Sequence, residues 1–296
     1  MTQALRMEGV IKRYRGFTLG PLDLILEPGR VLGLVGPNGS GKTTTINSIA
    51  GLIRIDAGTI RIFDQVANPD RAGWKLLIGY VGDTHVFYEY WSGERNLAFR
   101  KQFYPTWSDE REKELASRFN LDLKKRANML SKGNRAKLAL IGALAHSPKL
   151  LLLDEPTAGL DPVVRAEFLD VLWELLESGD AAVLYSTHIL SDISRISDEI
   201  AFLKDGSITL RRPKDDLIDE WRRISFRCPG DVANIRSVVD IKSEGVNHLA
   251  ISSNYEETTN HLLKLGAEIR ESSLMTIDDI SVQILRGNGH VEDSQG

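Results

Sequence analysis

The 296-residue chain has a single cysteine, Cys228, which rules out an internal disulfide framework and fits a reducing compartment. That residue reads as buried or half-buried on a strand. Long apolar runs are missing: stretches such as Leu150–Leu153 stop far short of the roughly 20 residues a membrane-crossing helix needs. Met1–Arg6 has no apolar run behind a basic start, so no secretory leader is visible. If the protein acts at a membrane, another chain does the crossing. Charge of one sign is also lacking: 37 basic against 41 acidic side chains leave a net charge of −4, with no global pull toward nucleic acid or anionic lipid. What remains is ordinary for a soluble globular protein, 42% hydrophobic and 26% charged, and long enough for one large domain or a large one plus a small one.

Against that background one stretch stands out, Gly36-Pro37-Asn38-Gly39-Ser40-Gly41-Lys42-Thr43-Thr44. It fits the phosphate-binding pattern G-x-x-x-x-G-K-[ST], and Val31–Val35 enters it as a buried strand while Thr44 onward reads as a helix. Glycines let successive backbone N–H groups turn inward around phosphate oxygens, and the helix N-terminus adds a favourable dipole. Lys42 would place its ammonium on the β/γ-phosphates, and the Thr43 hydroxyl would ligate Mg²⁺.

Residues 6–14 and 17–26 read as strands before this loop. Tyr14, at the end of the first, suits stacking on an adenine face and equally suits packing on its neighbours. After an apolar strand at Leu76–Val81 comes Asp83, then a segment dense in aromatics: Phe87, Tyr88, Tyr90, Trp91, Phe99, Phe103, Tyr104 and Trp107. With helical spacing at Glu94–Phe103 and Glu110–Phe119, most of these are expected to form the core of a small helical subdomain, any exposed remainder being a partner-docking patch. Ser131, in Leu130-Ser131-Lys132-Gly133-Asn134, is placed to cap a helix over Ala136–Ala145. Leu150–Leu153 then runs into Asp154-Glu155, the Walker B pattern of an apolar strand ending in two carboxylates. Asp154 would hold Mg²⁺ through water, and Glu155 would polarise an attacking water as general base. Pro156-Thr157-Ala158-Gly159-Leu160-Asp161 follows, then a helix, then a strand at Ala181–Ser186 ending at Thr187-His188.

Taken together, these residues resemble the nucleotide-binding subunit of an ATP-binding-cassette (ABC) transporter, over roughly residues 5–210. The elements come in the family's order: Tyr14, the P-loop, Asp83, the signature stretch from Leu130 to Asn134, Leu150–Glu155, Asp161 and His188. The resemblance implies an α/β fold, a P-loop NTPase ABC cassette with a mixed sheet core, an antiparallel β subdomain and a helical subdomain. It places the cassette at 1–212, with the helical part at about 84–146. It also implies the mechanism. Two such domains close head to tail around two ATP molecules with Mg²⁺, Lys42, Thr43, Asp154 and Glu155 serving each site from one side. Ser131, Lys132, Gly133 and Asn134 come from the other side, with Ser131 and the Gly133 backbone cradling the γ-phosphate. Asp161 bridges the two sites, while His188 orients the γ-phosphate and water.

Two departures from the family pattern are visible. Asp83 stands where glutamine is usual, reaching toward Mg²⁺ and the attacking water; it can hold water but cannot donate an amide hydrogen bond. Ser131-Lys132-Gly133-Asn134 stands where Ser-Gly-Gly-Gln is commonest. These, with Phe103-Tyr104-Pro105 and Ser186-Thr187-His188, look like the bacterial subgroup that pairs with separate export-type permeases. The implied partners are therefore an integral-membrane permease and a second copy, with no nucleic acid, and the implied location is the cytoplasmic face of the cell membrane.

Beyond Pro213 the pattern changes to a small α+β domain at 213–286, read as βαββαβ in a ferredoxin-like arrangement with a helix near Asp231–Val238 and a last helix at Ile277–Leu285; 287–296 is expected to be a disordered tail. Residues 211–296 carry 11 basic and 15 acidic side chains, net −4, which disfavours RNA. Dimerisation or regulation is the default role. The competing reading is a soluble ABC ATPase with a regulatory, non-transport role. DNA-repair types carry a long coiled coil between P-loop and signature, and translation types join two cassettes; neither feature is present here.

Overall fold

The computed structural model describes residues 2–68, 71–177, 179, 181–230, 232 and 234–287. By its contacts the chain divides into two compact units, Met1–Ser197 with Leu203–Ser207, and Asp198–Phe202 with Ile208–Gly296. Beyond Gly287 the expected tail lies outside the described residues.

The first unit begins with β1 (Leu5–Tyr14), β2 (Phe17–Leu26), β3 (Val31–Val35), α1 (Lys42–Ile49), β4 (Ala57–Ile62), β5 (Gln65–Val66) and β6 (Ile78–Val81). It continues through α2 (Gly93–Lys101), α3 (Asp109–Arg118), α4 (Lys132–Leu144), β7 (Leu150–Asp154), α5 (Pro162–Glu177), β8 (Ala182–Thr187) and α6 (Leu190–Ile196). An antiparallel sheet of order β2-β1-β4-β5 is built from strands that alternate, so that Leu19, Leu22, Leu24 and Leu26 of β2 point inward. The other strands do not alternate. β3, β7 and β8 are buried at every position, as continuous apolar runs covered on both faces must be. Their pairing is parallel: β3 with β8, β8 with β7, and β7 with β6. Its register sets Val35 beside Thr187, Asp154 beside Ser186 and Val81 beside Leu153. The residues that follow these strand ends, Gly36, His188, Glu155 and Gly82-Asp83, therefore leave the sheet along one edge.

All of Ala136–Leu144 in α4 is buried, the pattern of a helix covered on all sides. Serines cap α2, α3 and α4: the hydroxyls of Ser92, Ser108 and Ser131 accept from the backbone N–H groups of Arg95, Arg111 and Asn134. Each such cap contributes about 1 kcal/mol. The aromatic stripe departs from expectation. None of the eight rings is fully buried; Tyr90 is 78% exposed, beside Val86 at 87%. The core of the helical part is aliphatic instead, with Leu97, Leu115, Leu121 and Leu138 around Phe119. The reason is Asn96, which occupies the inward face of α2 and holds the loop before it, accepting from Tyr88 N–H and donating to the carbonyls of Tyr88 and Ser92. Tyr88, Tyr90, Phe99 and Phe103 are left exposed and the other four rings half-buried, with Tyr88 stacked on Trp91 at 4.2 Å and Phe99 edge-on to both.

One buried histidine makes stability depend on pH. His146 is 1% exposed, stacked on Tyr104 at 4.0 Å, and gives its Nε2 proton to the Ile78 carbonyl, while Nδ1 has no partner. Burial holds its pKa down at about 4, only partly offset by the Ile78 hydrogen bond, with Arg100 adding to the depression. The unfolded ring titrates near 6.5, so the stabilisation is full above that value and is lost as pH falls toward 4, up to about 3 kcal/mol. Denaturant unfolding at pH 7 and pH 5 should show a fall of about 2 kcal/mol, and His146→Gln should remove most of it. An equal fall in the variant would assign the effect elsewhere.

The second unit holds β9 (Glu199–Lys204) in part, β10 (Ser207–Pro213), α7 (Lys214–Glu220), β11 (Arg222–Arg227), β12 (Val238–Glu244), β13 (Asn247–Ser252), α8 (Tyr255–Lys264), β14 (Glu268–Leu274) and α9 (Ile277–Arg286). Its sheet is antiparallel, in the order β12-β13-β11-β14. The helix expected near Asp231–Val238 is not formed: Asp231 and Ala233 lie outside the described residues, Asn234, Arg236 and Ser237 are turns, and Val238 already belongs to β12. With φ of 58° at Ser237 and Pro229-Gly230 at its start, that connection lacks the register a helix needs. Ile224, Phe226, Cys228, Ala250 and Leu262 form the core, so Cys228 is a buried hydrophobe just past β11.

Candidate active site

The P-loop connects β3 to α1 with a backbone only glycine allows at two points. A Cβ on Gly36 would sit 2.2 Å from the Leu203 carbonyl oxygen. Gly41, the N-cap of α1, has φ of 112°. Lys42 is buried and donates to the carbonyls of Gly36 at 2.7 Å and Pro37 at 3.2 Å, with its ammonium 3.6 Å from Glu155 Oε1. Ser40 Oγ is buried without a partner, a donor set inside the loop. Pro37, Asn38 and Gly39 are exposed at its tip, and Thr43 is exposed at the start of α1 with Thr44 behind it.

Asp154 closes β7 with no exposure at all. Its Oδ1 accepts from Ser186 Oγ, and burial pushes its carboxyl up; the Ser186 and Thr43 hydroxyls oppose that rise, and the Asp83 and Glu155 carboxylates add to it. The Thr43 hydroxyl lies near enough to act on it, yet Oδ2 has no hydrogen-bond partner. A buried anionic oxygen left unpaired is unfavourable unless a cation meets it, and a cation would reverse the upward shift. This donor set, a buried carboxylate oxygen beside a threonine hydroxyl at a phosphate loop, fits Mg²⁺, which binds through one or two carboxylate or hydroxyl oxygens plus phosphate oxygens and water.

Glu155 follows with φ of 49°, a left-handed conformation that strains a side chain by about 1 kcal/mol or more. Its N–H is held by the Ser186 carbonyl at 3.0 Å, and its carboxylate is 14% exposed. Oε2 accepts from His188 Nδ1 at 2.7 Å and from His188 N–H at 3.3 Å. A carboxylate only accepts, so Nδ1 carries the proton and Nε2 of this half-exposed ring is left for a ligand. One carboxylate thus sits between Lys42 and His188, anchored on a strained backbone at the strand edge.

Asp83 is exposed at the end of β6 and close enough to raise both Asp154 and Tyr80, whose phenol burial pushes up to about 12 while it donates to Asn47 at 3.1 Å. Tyr14 stands half exposed at the β1–β2 turn, with the Lys12 ammonium 5.5 Å from its ring centroid.

The signature residues lie elsewhere in the unit. The Ser131 hydroxyl caps α4, Lys132 is exposed with its ammonium at Gly159, and Asn134 is half-buried behind them. Gly133 packs against Val164, 3.0 Å from where a Cβ would be. Asp161 Oδ1 caps α5 by accepting from Val163 and Val164 N–H, both at 3.1 Å. Among the described residues, no hydrogen bond or ion pair joins Ser131 to Lys42. Motif reading also missed Arg135, one turn into α4, which grips Glu89 through both guanidinium nitrogens and donates to the His85 carbonyl at 2.9 Å. That fork fastens the segment after Asp83 to the signature helix.

Comparison with known proteins identifies the family. Residues 19–158 match the family described as ABC transporter, a stretch that ends before Asp161 and His188. The ABC transporter ATP-binding protein YhcH of Bacillus subtilis is 33% identical over 250 residues, 82% of each chain. The linearmycin resistance ATP-binding protein LnrL of Bacillus subtilis is 30% identical over 276 residues, 90% of this chain and 85% of that one. A solved structure of an ATP-binding subunit of an ABC transporter superposes with a TM-score of 0.67 at 27% identity, covering 73% of this chain and 92% of that one. The chain belongs to the ABC transporter family, as one of its ATP-binding subunits.

Proposed function

We propose that two copies of this chain close head to tail on two ATP molecules, and that this cycle drives export through a separate permease on the cytoplasmic face of the membrane. Subunits of this family bind and hydrolyse ATP to power transport and work with membrane permeases. The observation that carries the residue roles is the in-register strand edge at which Gly36, Glu155 and His188 emerge together. Lys42 and the Gly36–Thr44 loop bind the phosphates, Tyr14 stacks on the adenine, and Glu155 polarises the attacking water with His188 holding its geometry. Thr43, Asp154 and Asp83 would hold Mg²⁺, which neutralises phosphate charge when bound. Ser131, Lys132, Gly133 and Asn134 of the opposite copy complete each site, and Asp161 bridges the pair. The resistance role in the name of LnrL supports export as the direction. In this reading residues 1–212 form the cassette and 213–286 an accessory domain that serves dimerisation or regulation.

Among the described residues no helix is long and apolar enough to cross a membrane, so the permease must be met at a surface. The exposed rings Tyr88, Tyr90, Phe99 and Phe103 supply one, an apolar patch with Arg95 over Trp91 at 4.2 Å. Affinity purification from membranes should recover an integral membrane chain, and Tyr90→Ala should weaken that recovery at least tenfold while the free subunit keeps its ATPase rate. Recovery with ribosomes or DNA in place of a membrane chain would contradict the transport role.

A further inference from the structure

Behind the site lies a buried polar cluster to which none of the residues given a role above belongs. Asp192, in the first turn of α6, is fully buried with both carboxylate oxygens engaged. Oδ2 accepts from the Thr157 hydroxyl at 2.5 Å and the Tyr185 hydroxyl at 2.9 Å. Oδ1 accepts from Arg165 Nε at 2.5 Å, and Arg165 Nη2 also reaches Ser191 Oγ. The Thr157 and Tyr185 oxygens are 3.0 Å apart, both buried. Burial beside the Asp192 carboxylate pushes the Tyr185 phenol well above its ordinary range, so it remains a donor.

What matters is where these four residues sit in the chain. Thr157 is two residues past Glu155 and four before Asp161. Arg165 is four past Asp161, Tyr185 three before His188, and Asp192 four past it. One carboxylate therefore ties together the two segments that carry Glu155, Asp161 and His188, each tie being a short charge-assisted bond away from water.

We propose that Asp192, through Thr157, Tyr185 and Arg165, is the positioning hub that fixes the Glu155–Asp161 loop against the His188 loop, so that water activation and the dimer-bridging segment keep one geometry. The proposal rests on the roles given above to Glu155 and His188. None of the four is among the residues assigned above to ATP or Mg²⁺. Their effect appears in turnover, because a displacement of about 1 Å at the reacting groups lowers rate by up to about 100-fold.

The test uses near-isosteric changes in the full-length chain. Thr157→Val removes the hydroxyl and keeps the shape, whereas Thr157→Ser keeps the hydroxyl. Steady-state ATPase measurements should give Thr157→Val a kcat about tenfold lower with KM for ATP within about twofold, and Thr157→Ser should recover most of the rate. Tyr185→Phe, the second probe should Thr157→Val fold poorly, should lower kcat by a smaller factor at unchanged KM. Glu155→Gln is measured alongside. Parental kcat in both Thr157→Val and Tyr185→Phe, with Glu155→Gln inactive, overturns the hub and leaves the assignment of Glu155 standing. Equal losses in Thr157→Val and Thr157→Ser also overturn it. Parental turnover in Glu155→Gln removes the site reading and the hub with it.

Discussion

Glu155→Gln should lower ATP turnover by at least about 100-fold and leave ATP binding intact, since a positioned general base contributes about 10²–10⁴ in rate. The argument is local. Gln has the shape of Glu and accepts the same strained backbone, with φ of 49° and the Ser186 carbonyl holding its N–H. Its amide oxygen can still accept from His188 Nδ1, which lies 2.7 Å from Oε2. What disappears is the capacity to take a proton, together with the negative charge 3.6 Å from the Lys42 ammonium. Because the phosphate loop is untouched, the variant should collect as an ATP-bound dimer, seen as an ATP-dependent shift in size-exclusion chromatography. Turnover at the parental rate would deny Glu155 its role.

Lys42→Met acts on the opposite half of the reaction. The ammonium is buried, held by two P-loop carbonyls and near Glu155, so it is already ordered where phosphate oxygens would meet it. A charge-assisted contact of this kind is worth about 1.5–3 kcal/mol, and several converge on one phosphate group. ATP should bind at least about 100-fold more weakly, while methionine fills the space of the lysine stem and preserves the fold. The readout is the rise in unfolding temperature that saturating MgATP gives the parent; the variant should lose it with its ligand-free midpoint kept. An undiminished rise would show that phosphate recognition lies elsewhere.

Much of this site could be read from the chain because phosphate chemistry leaves few choices of residue. A loop that turns its N–H groups inward needs glycine at Gly36 and Gly41, and the buried strand ending in Asp154-Glu155 is made specific by the Pro156–Asp161 stretch that follows it. Parallel core strands announce themselves as unbroken apolar runs, as at Leu150–Leu153. Three features were less legible. The ring-rich stripe at 87–107 has core spacing, yet Asn96 takes the inward position, and a single buried amide is silent in a hydropathy pattern. The Asp192 cluster gathers residues 157, 165, 185 and 192, each unremarkable alone. Its one sequence hint is Tyr185, whose hydroxyl sits in a strand buried at every position and must find a partner there. Third, the connection from β11 to β12 turns at Asn234, Arg236 and Ser237 in place of the expected helix, and nothing in the residue type of Ser237 announces its φ of 58°.

The central claim is that Lys42 and Ser131 meet only between two copies. Mixing two inactive variants tests it most directly. Lys42→Met and Ser131→Arg should each lower ATP turnover by at least about 100-fold in a pure preparation. Co-refolded or co-expressed in equal amounts, half of the pairs are mixed, and each mixed pair concentrates both lesions in one site and leaves the other intact. Turnover should then return to as much as about one quarter of the parent's, from two-fold symmetry and random pairing. A mixture that stays as inactive as its two components would contradict a site shared between copies.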